Sequence, residues 1–391
     1  MPMRLTRRHF SIGVAAVAVE AARASGGFEQ AVLGQMGALP DGPVLLNSYL
    51  VETGNGAGDF DLTQANAAYV YDNALAGLLL YAAGHKQAAM RIGQALALAQ
   101  MHDRKFTDGR LRNCYAAGAM TVPAKLAGFW DSQAHQWAED PYQVGTDTGP
   151  VAWAMLLWSA LQMRGPADAA GDFLDASLRA KRGYYGGFYG FDPSQQIMRW
   201  QSTEQNTDLV TAFHILGRAD DSSHAAAFVQ QMFDAKHGRF NSGCGPDGAV
   251  NTSMAADAGT WPYLAGLGTP ASALAAVDEL RHGDGIGFSA ASAGIWLEGT
   301  AFAALALHKM GNGLADAFTA TIHKNVSAEG YVYACIPPEI STGLMVGPSL
   351  QTGKPEIAFN YYRRPSLSAT CWAGLSELGV NPLAPKFYTA T

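Results

Sequence analysis

The sequence predicts an all-α fold: a closed (α/α)6 barrel of helical hairpins with its long loops gathered on one face. Three observations predict it. Apolar residues recur at helical spacing in runs near 69–83, 85–101, 147–163, 166–180, 203–217, 222–236, 254–267, 270–281, 297–310, 313–325 and 366–378. The runs fall into pairs joined by very short turns, whereas the connections between pairs are several times longer. Within each pair the first run is the more apolar.

The punctuation of the runs supports the pairing. Gly84, Gly217, Gly268 and Gly311 stand where first helices should end, as C-cap glycines do. Pro166 and Pro270 stand near the start of second helices, where a missing N–H does no harm. The stretch Val151 to Trp158 is apolar all round, while Asp168 to Arg182 carries charge along one side. An all-apolar helix is enclosed and a striped one faces water, so first helices form an inner ring and second helices an outer ring. The run at 366–378 supplies a sixth inner helix, and Phe28 to Leu39 supplies the missing outer partner that closes the circle. An open solenoid is the alternative, but the hairpins share no tight repeat period. Short extended pieces are expected near 183–200 and 329–336, where aromatics and glycines alternate.

Composition narrows the function. The chain has 391 residues, 48% of them hydrophobic and 15% charged, and 26 Lys and Arg stand against 33 Asp and Glu. No basic stripe argues for nucleic acid. Residues 28–391 read as one barrel domain. Residues 1–24 read as a targeting leader: Arg7-Arg8 is a twin-arginine pattern, an apolar run from Phe10 to Val19 follows, and Ala22-Arg23-Ala24 resembles a cleavage site, although Glu20 interrupts the apolar region. The expected location is therefore periplasmic or secreted. No later segment is long and uncharged enough to span a membrane. Cys114, Cys244, Cys335 and Cys371 form no C-x-x-C pair, so a zinc site is not expected. They are either disulfide partners in an oxidising compartment or small buried side chains. No cofactor motif is present, and no cofactor is expected.

In this topology every long loop enters an inner helix at its N-terminus, so the loops converge on one mouth, and long ordered loops on a rigid scaffold carry function. The entries are Tyr71-Asp72-Asn73, Gly145-Thr146-Asp147-Thr148-Gly149, Ser202-Thr203-Glu204-Gln205-Asn206-Thr207-Asp208, Asp257-Ala258-Gly259-Thr260-Trp261 and Trp296-Leu297-Glu298-Gly299-Thr300. Any one of these acidic residues is an ordinary helix cap. Asp72, Asp147, Glu204, Asp257 and Glu298 on one mouth are more than caps. Asp208 reads as a buried structural partner and His214 as a core histidine. The loops are rich in aromatics, among them Trp130, Trp137, Tyr142, Tyr189, Trp200, Tyr361 and Tyr362, whose faces suit the apolar faces of sugar rings or simply pack the loops down. Arg110 and Arg112 either bind substrate carboxylates in a forked geometry or anchor their loop to neighbouring Asp residues.

On these hairpins and entries the chain resembles the six-hairpin glycosidase superfamily, the glucoamylase-like (α/α)6 toroids, over most of residues 60–380. It looks like exported bacterial members acting on exopolysaccharides or other glucans. The resemblance implies a groove or funnel at the inner-helix N-termini and inverting hydrolysis by two carboxylates. The same fold hosts polysaccharide lyases, epimerases and terpene cyclases, so the chemistry has to be argued from the site. The expectation is a glycoside hydrolase on a polysaccharide or oligosaccharide. Glu204 is the general acid, Asp147 the base, and Asp72 the next candidate for either role. Tyr71, Arg110, Arg112, Tyr189, Trp200, Asp257, Trp261 and Glu298 are expected to bind substrate. A lyase acting on a uronate, with Tyr71 or Tyr189 as base and the two arginines as neutralising cations, is the alternative, as is a non-catalytic glycan-binding protein.

Overall fold

Six apolar helices form a closed inner ring in the computed structural model, which describes residues 27–51, 58–132, 134–346, 354 and 356–389. The expected leader at 1–24 lies outside the described residues. In chain order the helices are α1 (Glu29–Gly37), α2 (Asp59–Gln64), α3 (Val70–Ala82), α4 (Lys86–Met101), α5 (Thr148–Ala160), α6 (Arg164–Leu178), α7 (Thr203–Ile215), α8 (Ala219–Gln231), α9 (Ala256–Leu264), α10 (Pro270–Glu279), α11 (Leu297–Met310), α12 (Leu314–His323), α13 (Leu367–Glu377) and α14 (Lys386–Thr389). The inner ring runs α3, α5, α7, α9, α11, α13 and back to α3, each packed on the next. The second helix of each hairpin covers the first from outside, and α1 packs on both α13 and α3 and fills the sixth outer position.

Burial follows the sequence pattern. In α5 nearly every residue from Thr148 to Trp158 is buried, whereas α6 buries only Ala167, Ala170, Gly171, Phe173, Leu174 and Leu178 along one stripe. Inner helices approach closely where small residues face a neighbour: a Cβ on Gly77 of α3 would fall 2.6 Å from Leu157 of α5. Three of the four glycines expected as C-caps, Gly84, Gly217 and Gly311, hold the left-handed conformation. After α9 that role falls to Gly266 (φ 79°), not Gly268. Pro270 sits at the first position of α10 inside a capping box of Thr269 and Ser272.

The loops are tied into a collar that the helical reading did not anticipate. Short antiparallel strands before one inner helix pair with strands before the next: 67–69 with 114–116, 146–147 with 187–188, 201–202 with 243–244, and 295–296 with 335–336. Single bridges complete the circle at Ala255–Ser289 and Tyr49–Ser366. At each inner helix the first residue donates its backbone N–H to a carbonyl of the following loop. The pairs are Val70 to Asn113, Thr148 to Gly186, Thr203 to Ser242, Ala256 to Phe288, Leu297 to Ala334 and Leu367 to Ser48. Otherwise orphaned helix N–H groups are thereby satisfied and the mouth is fixed. The extended pieces expected near 183–200 and 329–336 are the strands 187–189, 196–198 and 335–336, whereas a longer hairpin, 339–346 with 357–362, was not expected.

All four cysteines are free thiols, and Cys114, Cys335 and Cys371 are buried, which is the second of the two readings of the sequence. No helix among the described residues is long and apolar enough to cross a membrane.

Candidate active site at the barrel mouth

Because all six inner helices start at one level, position along each helix gives depth in the barrel. The second helical residues are Tyr71, Gly149, Glu204, Asp257, Glu298 and Ser368, and they form the layer at the mouth. One turn further in, the sixth residues are Leu75, Trp153, Asp208, Trp261, Phe302 and Trp372. These close the barrel with an aromatic floor. The centroids of Trp153 and Trp261 are 5.4 Å apart, those of Trp261 and Trp372 5.7 Å, and those of Trp261 and Phe302 5.5 Å. The Tyr71 ring leans down onto Trp153 at 5.4 Å.

The acidic residues singled out by sequence meet in this well. Asp72, Asp147, Asp257 and Glu298 are all but buried, at 5–6% exposure, and Glu204 is partly exposed. Burial pushes the Glu204 carboxyl well above its usual value, and the charges of Asp257, Asp208, Glu298 and Asp147 push it further. Burial raises Asp147 to about 7, against the opposing effect of its bond from Asn113. Asn113 Nδ2 donates to Asp147 Oδ1 at 3.0 Å and Asn113 Oδ1 accepts from the Asp147 backbone N–H at 2.6 Å, so the base of the loop is locked from both sides. Burial likewise raises Asp72 to about 7 and Asp257 to about 6, the latter restrained by the Ala258 N–H.

Glu298 has partners on both oxygens. Tyr71 Oη donates to Oε1 at 2.6 Å, Ser368 Oγ donates to Oε2 at 2.7 Å, and Trp372 Nε1 donates in turn to Tyr71 Oη at 2.8 Å. Burial still lifts it to about 8. Tyr49, Tyr142 and Tyr361 stand close enough to feel these charges and rim the opening.

Asp208 does not have the structural partner expected of it. It is fully buried in the floor, and neither carboxylate oxygen has a hydrogen-bonding partner among the described residues. The indole N–H groups of Trp153 and Trp261 are also buried and unpaired, although Trp153 lies near enough to favour an ionised Asp208. In the mouth layer Gly149 brings no side chain, and Gln205 and Asp208 close in on it: a Cβ there would lie 3.0 Å from Gln205 Cγ and 3.5 Å from Asp208 Oδ2. Buried polar atoms without partners carry a desolvation cost, and at the base of a well they are groups a polar ligand can satisfy.

Other expected site residues lie elsewhere. Arg112 is fully buried and spent on structure: Nε donates to Asp103 at 2.5 Å, Nη1 to the Val144 carbonyl at 2.9 Å and Nη2 to Asp192 at 3.0 Å. Arg110 is paired with Asp108 at 2.6 Å and stacks over Phe106 at 3.9 Å. Of the two roles left open by the sequence, both arginines take the anchoring one and not the expected binding of substrate. Trp200 is half-buried over Gly186, and Tyr189 is exposed on the strand paired next to 146–147. Trp261 belongs to the floor. His214 is not a core residue; it is exposed at the far end of α7. Among the groups that carry the site's geometry, Asn113, Ser368, Trp153, Trp372 and Tyr49 were not singled out by sequence, since each is an ordinary residue until its neighbour across the ring is known.

No family model and no curated protein matches the sequence. Solved structures do. A glycosidase variant in complex with glucose matches with a TM-score of 0.59 at 13% identity, over 96% of this chain and 99% of that one. The chain has the fold of the six-hairpin glycosidases. A mannosylglycerate hydrolase from Thermus thermophilus, solved with glucose, shares the toroid with a TM-score of 0.53 at 12% identity, over 89% of this chain and 98% of its own. A D-mannose isomerase shares it with a TM-score of 0.57 at 10% identity, over 93% and 97%. At such identities the toroid is shared but the chemistry is not thereby assigned.

Proposed function

We propose that this toroid is a glycoside hydrolase acting on a polysaccharide or oligosaccharide, with Glu204 as general acid and Asp147 as the base that activates water. The observation that carries the reading is the convergence of carboxyl groups from five inner helices on a well floored by indoles. Glycosidic cleavage needs one carboxyl held protonated and another able to accept a proton from water. Glu204 has the crowding that keeps a carboxyl protonated near neutral pH, and its longer side chain reaches toward a glycosidic oxygen above the mouth. Asp147 is oriented by Asn113, and Asp72 is the next candidate for either role. Asp257 is a rival base: its charge is the largest electrostatic influence on Glu204, and burial raises it less far than Asp72, Asp147 or Glu298, to about 6. Tyr142 and Tyr361 near the mouth offer a sugar ring apolar faces, whereas the indoles and Asp208 below them are packed shut, at 0–2% exposure.

The proposed stereochemical course is inversion, which needs acid and base carboxyls about 6.5–9.5 Å apart to admit a water. The lyase reading loses its support with the arginines, which are committed to Asp103, Asp108 and Asp192. Delivery to the periplasm or the medium by the leader at 1–24 belongs to the same proposal; Arg7→Lys with Arg8→Lys should retain the protein in the cytoplasm of its host.

The test is a panel of polysaccharides and oligosaccharides assayed both for reducing ends and for absorbing unsaturated products. New reducing ends without unsaturation are expected, and NMR of the fresh product should show the inverted anomer. Glu204→Gln and Asp147→Asn should each keep the fold but lose 10²-fold or more in turnover, about the size of acid–base effects. If Asp147→Asn turns over at the wild-type rate while Asp257→Asn does not, the base is Asp257. If Glu204→Gln is fully active, the acid is misassigned.

A further inference from the structure

Outside the well, the connection from α4 to α5 carries a feature that the reaction does not use. Residues 129–131 and 136–138 form an antiparallel hairpin in which Trp130 pairs directly with Trp137. Directly paired residues put their side chains on the same face, with Cβ atoms about 4.5–5.5 Å apart. Both indoles are open to solvent, at 56% and 54% exposure, an unusual state for the largest apolar side chain. The Trp137 ring also has a prepared seat: Gly128 lies beneath it, and a Cβ at that position would fall 2.5 Å from Trp137 Nε1. The glycine lets the indole rest against the hairpin backbone with its outer face free.

Beside this pair runs an open groove of about 610 Å³, lined by Trp137, Val122 and Leu126 as well as by Arg104, Lys125 and Glu139. Arg104 and Glu139 are held in a two-pronged ion pair at 2.6 and 2.8 Å. Flat aromatic faces next to fixed donors and acceptors match a chain of sugar rings, which present C–H faces and a rim of hydroxyls. A lipid surface would call for a continuous apolar patch, and here Arg104, Lys125 and Glu139 interrupt the apolar lining. The strand that carries Trp137 leads through Glu139 and Asp140 to Tyr142 at the rim of the well.

We infer that the Trp130–Trp137 face and its groove form a second, non-catalytic glycan-binding site. It holds a stretch of the same polysaccharide outside the well while the well works on another part. The choice of polymer rests on the hydrolase reading, but the binding itself does not.

The experiment is affinity electrophoresis of the full chain in native gels cast with soluble starch, dextran or barley β-glucan, alongside turnover of a matching tetrasaccharide. At least one polymer should retard the wild type. Trp130→Ala with Trp137→Ala should weaken that retardation about ten-fold or more and leave tetrasaccharide turnover unchanged. Trp130→Phe with Trp137→Phe, which keeps aromatic faces, should retain most of the binding and guards against a folding artefact. Equal retardation of the alanine variant and the wild type overturns the inference, as does a wild type that none of the three polymers retards. Retardation that depends on the indoles, with no reducing ends released from any substrate, leaves the second site standing and removes the hydrolase reading instead.

Discussion

Burying carboxyl groups at the barrel mouth has a cost that pH reveals residue by residue. Asp72, Asp147, Asp257 and Glu298 titrate near 7, 7, 6 and 8 in the folded chain, against about 4 when unfolded. Between those values the folded state holds more protons than the unfolded one. The stability these groups allow is therefore fully present below about pH 4 and is lost as pH rises through 6 to 8. Calorimetry should show Tm falling from pH 5 to pH 8. Asp72→Asn should flatten the fall and stabilise the protein at pH 8 by roughly 1 kcal/mol or more. A Tm that rises over that interval, or an Asp72→Asn variant less stable than wild type at pH 8, would refute this account. The sequence made the acidic residues visible because each opens a helix. It could not show that Arg112 is already occupied by Asp103 and Asp192, nor that Asp208 has no partner, because both facts depend on residues brought together from distant loops.

At the scale of the element, periodicity found the twelve helices of the two rings, but their starts were legible only to within a few residues. The run expected at 254–267 begins at Ala256 and that at 147–163 begins at Thr148. Those small shifts matter, since one residue turns a side chain by about 100° around the helix and separates the mouth layer from the wall. The depth of Trp153 or Asp208 could therefore not be counted until the first helical residue was fixed by its bond to the next loop. The short α2 and the 339–346/357–362 hairpin were missed because neither carries an amphipathic stripe long enough to declare itself. Close packing within the ring is testable at Gly77. Gly77→Ala drives a methyl into Leu157 and should destabilise the protein by about 1–3 kcal/mol in urea unfolding, although alanine is the better helix former. An unchanged or raised midpoint would mean that α3 and α5 can part at little cost.

Taken as a whole, the described part of the molecule is a ring of six inner helices with carboxyl groups at their N-terminal ends and close-packed aromatic side chains one turn below. Apart from Glu204 the mouth carboxyls lie almost buried, at 5–6% exposure, and a chain end reaches such groups more readily than an internal segment, so the expected action is release of small sugars from chain termini. Reducing ends should then accumulate well before the viscosity of a soluble polymer drops; an early collapse of viscosity would show that the mouth admits internal segments. The ring that makes the well also has a seam. It closes where Leu367 bonds to Ser48 and where α1 lies across α13, each pair more than three hundred positions apart in the chain, as well as across the nearer α3. Closing so large a loop is slow compared with forming any one hairpin. On a ribosome, each hairpin can form as it emerges, but α1 must wait, its apolar face uncovered, until the last inner helix has been made. The time of greatest exposure to misfolding is therefore set by the length of synthesis and not by the folding speed of any single part.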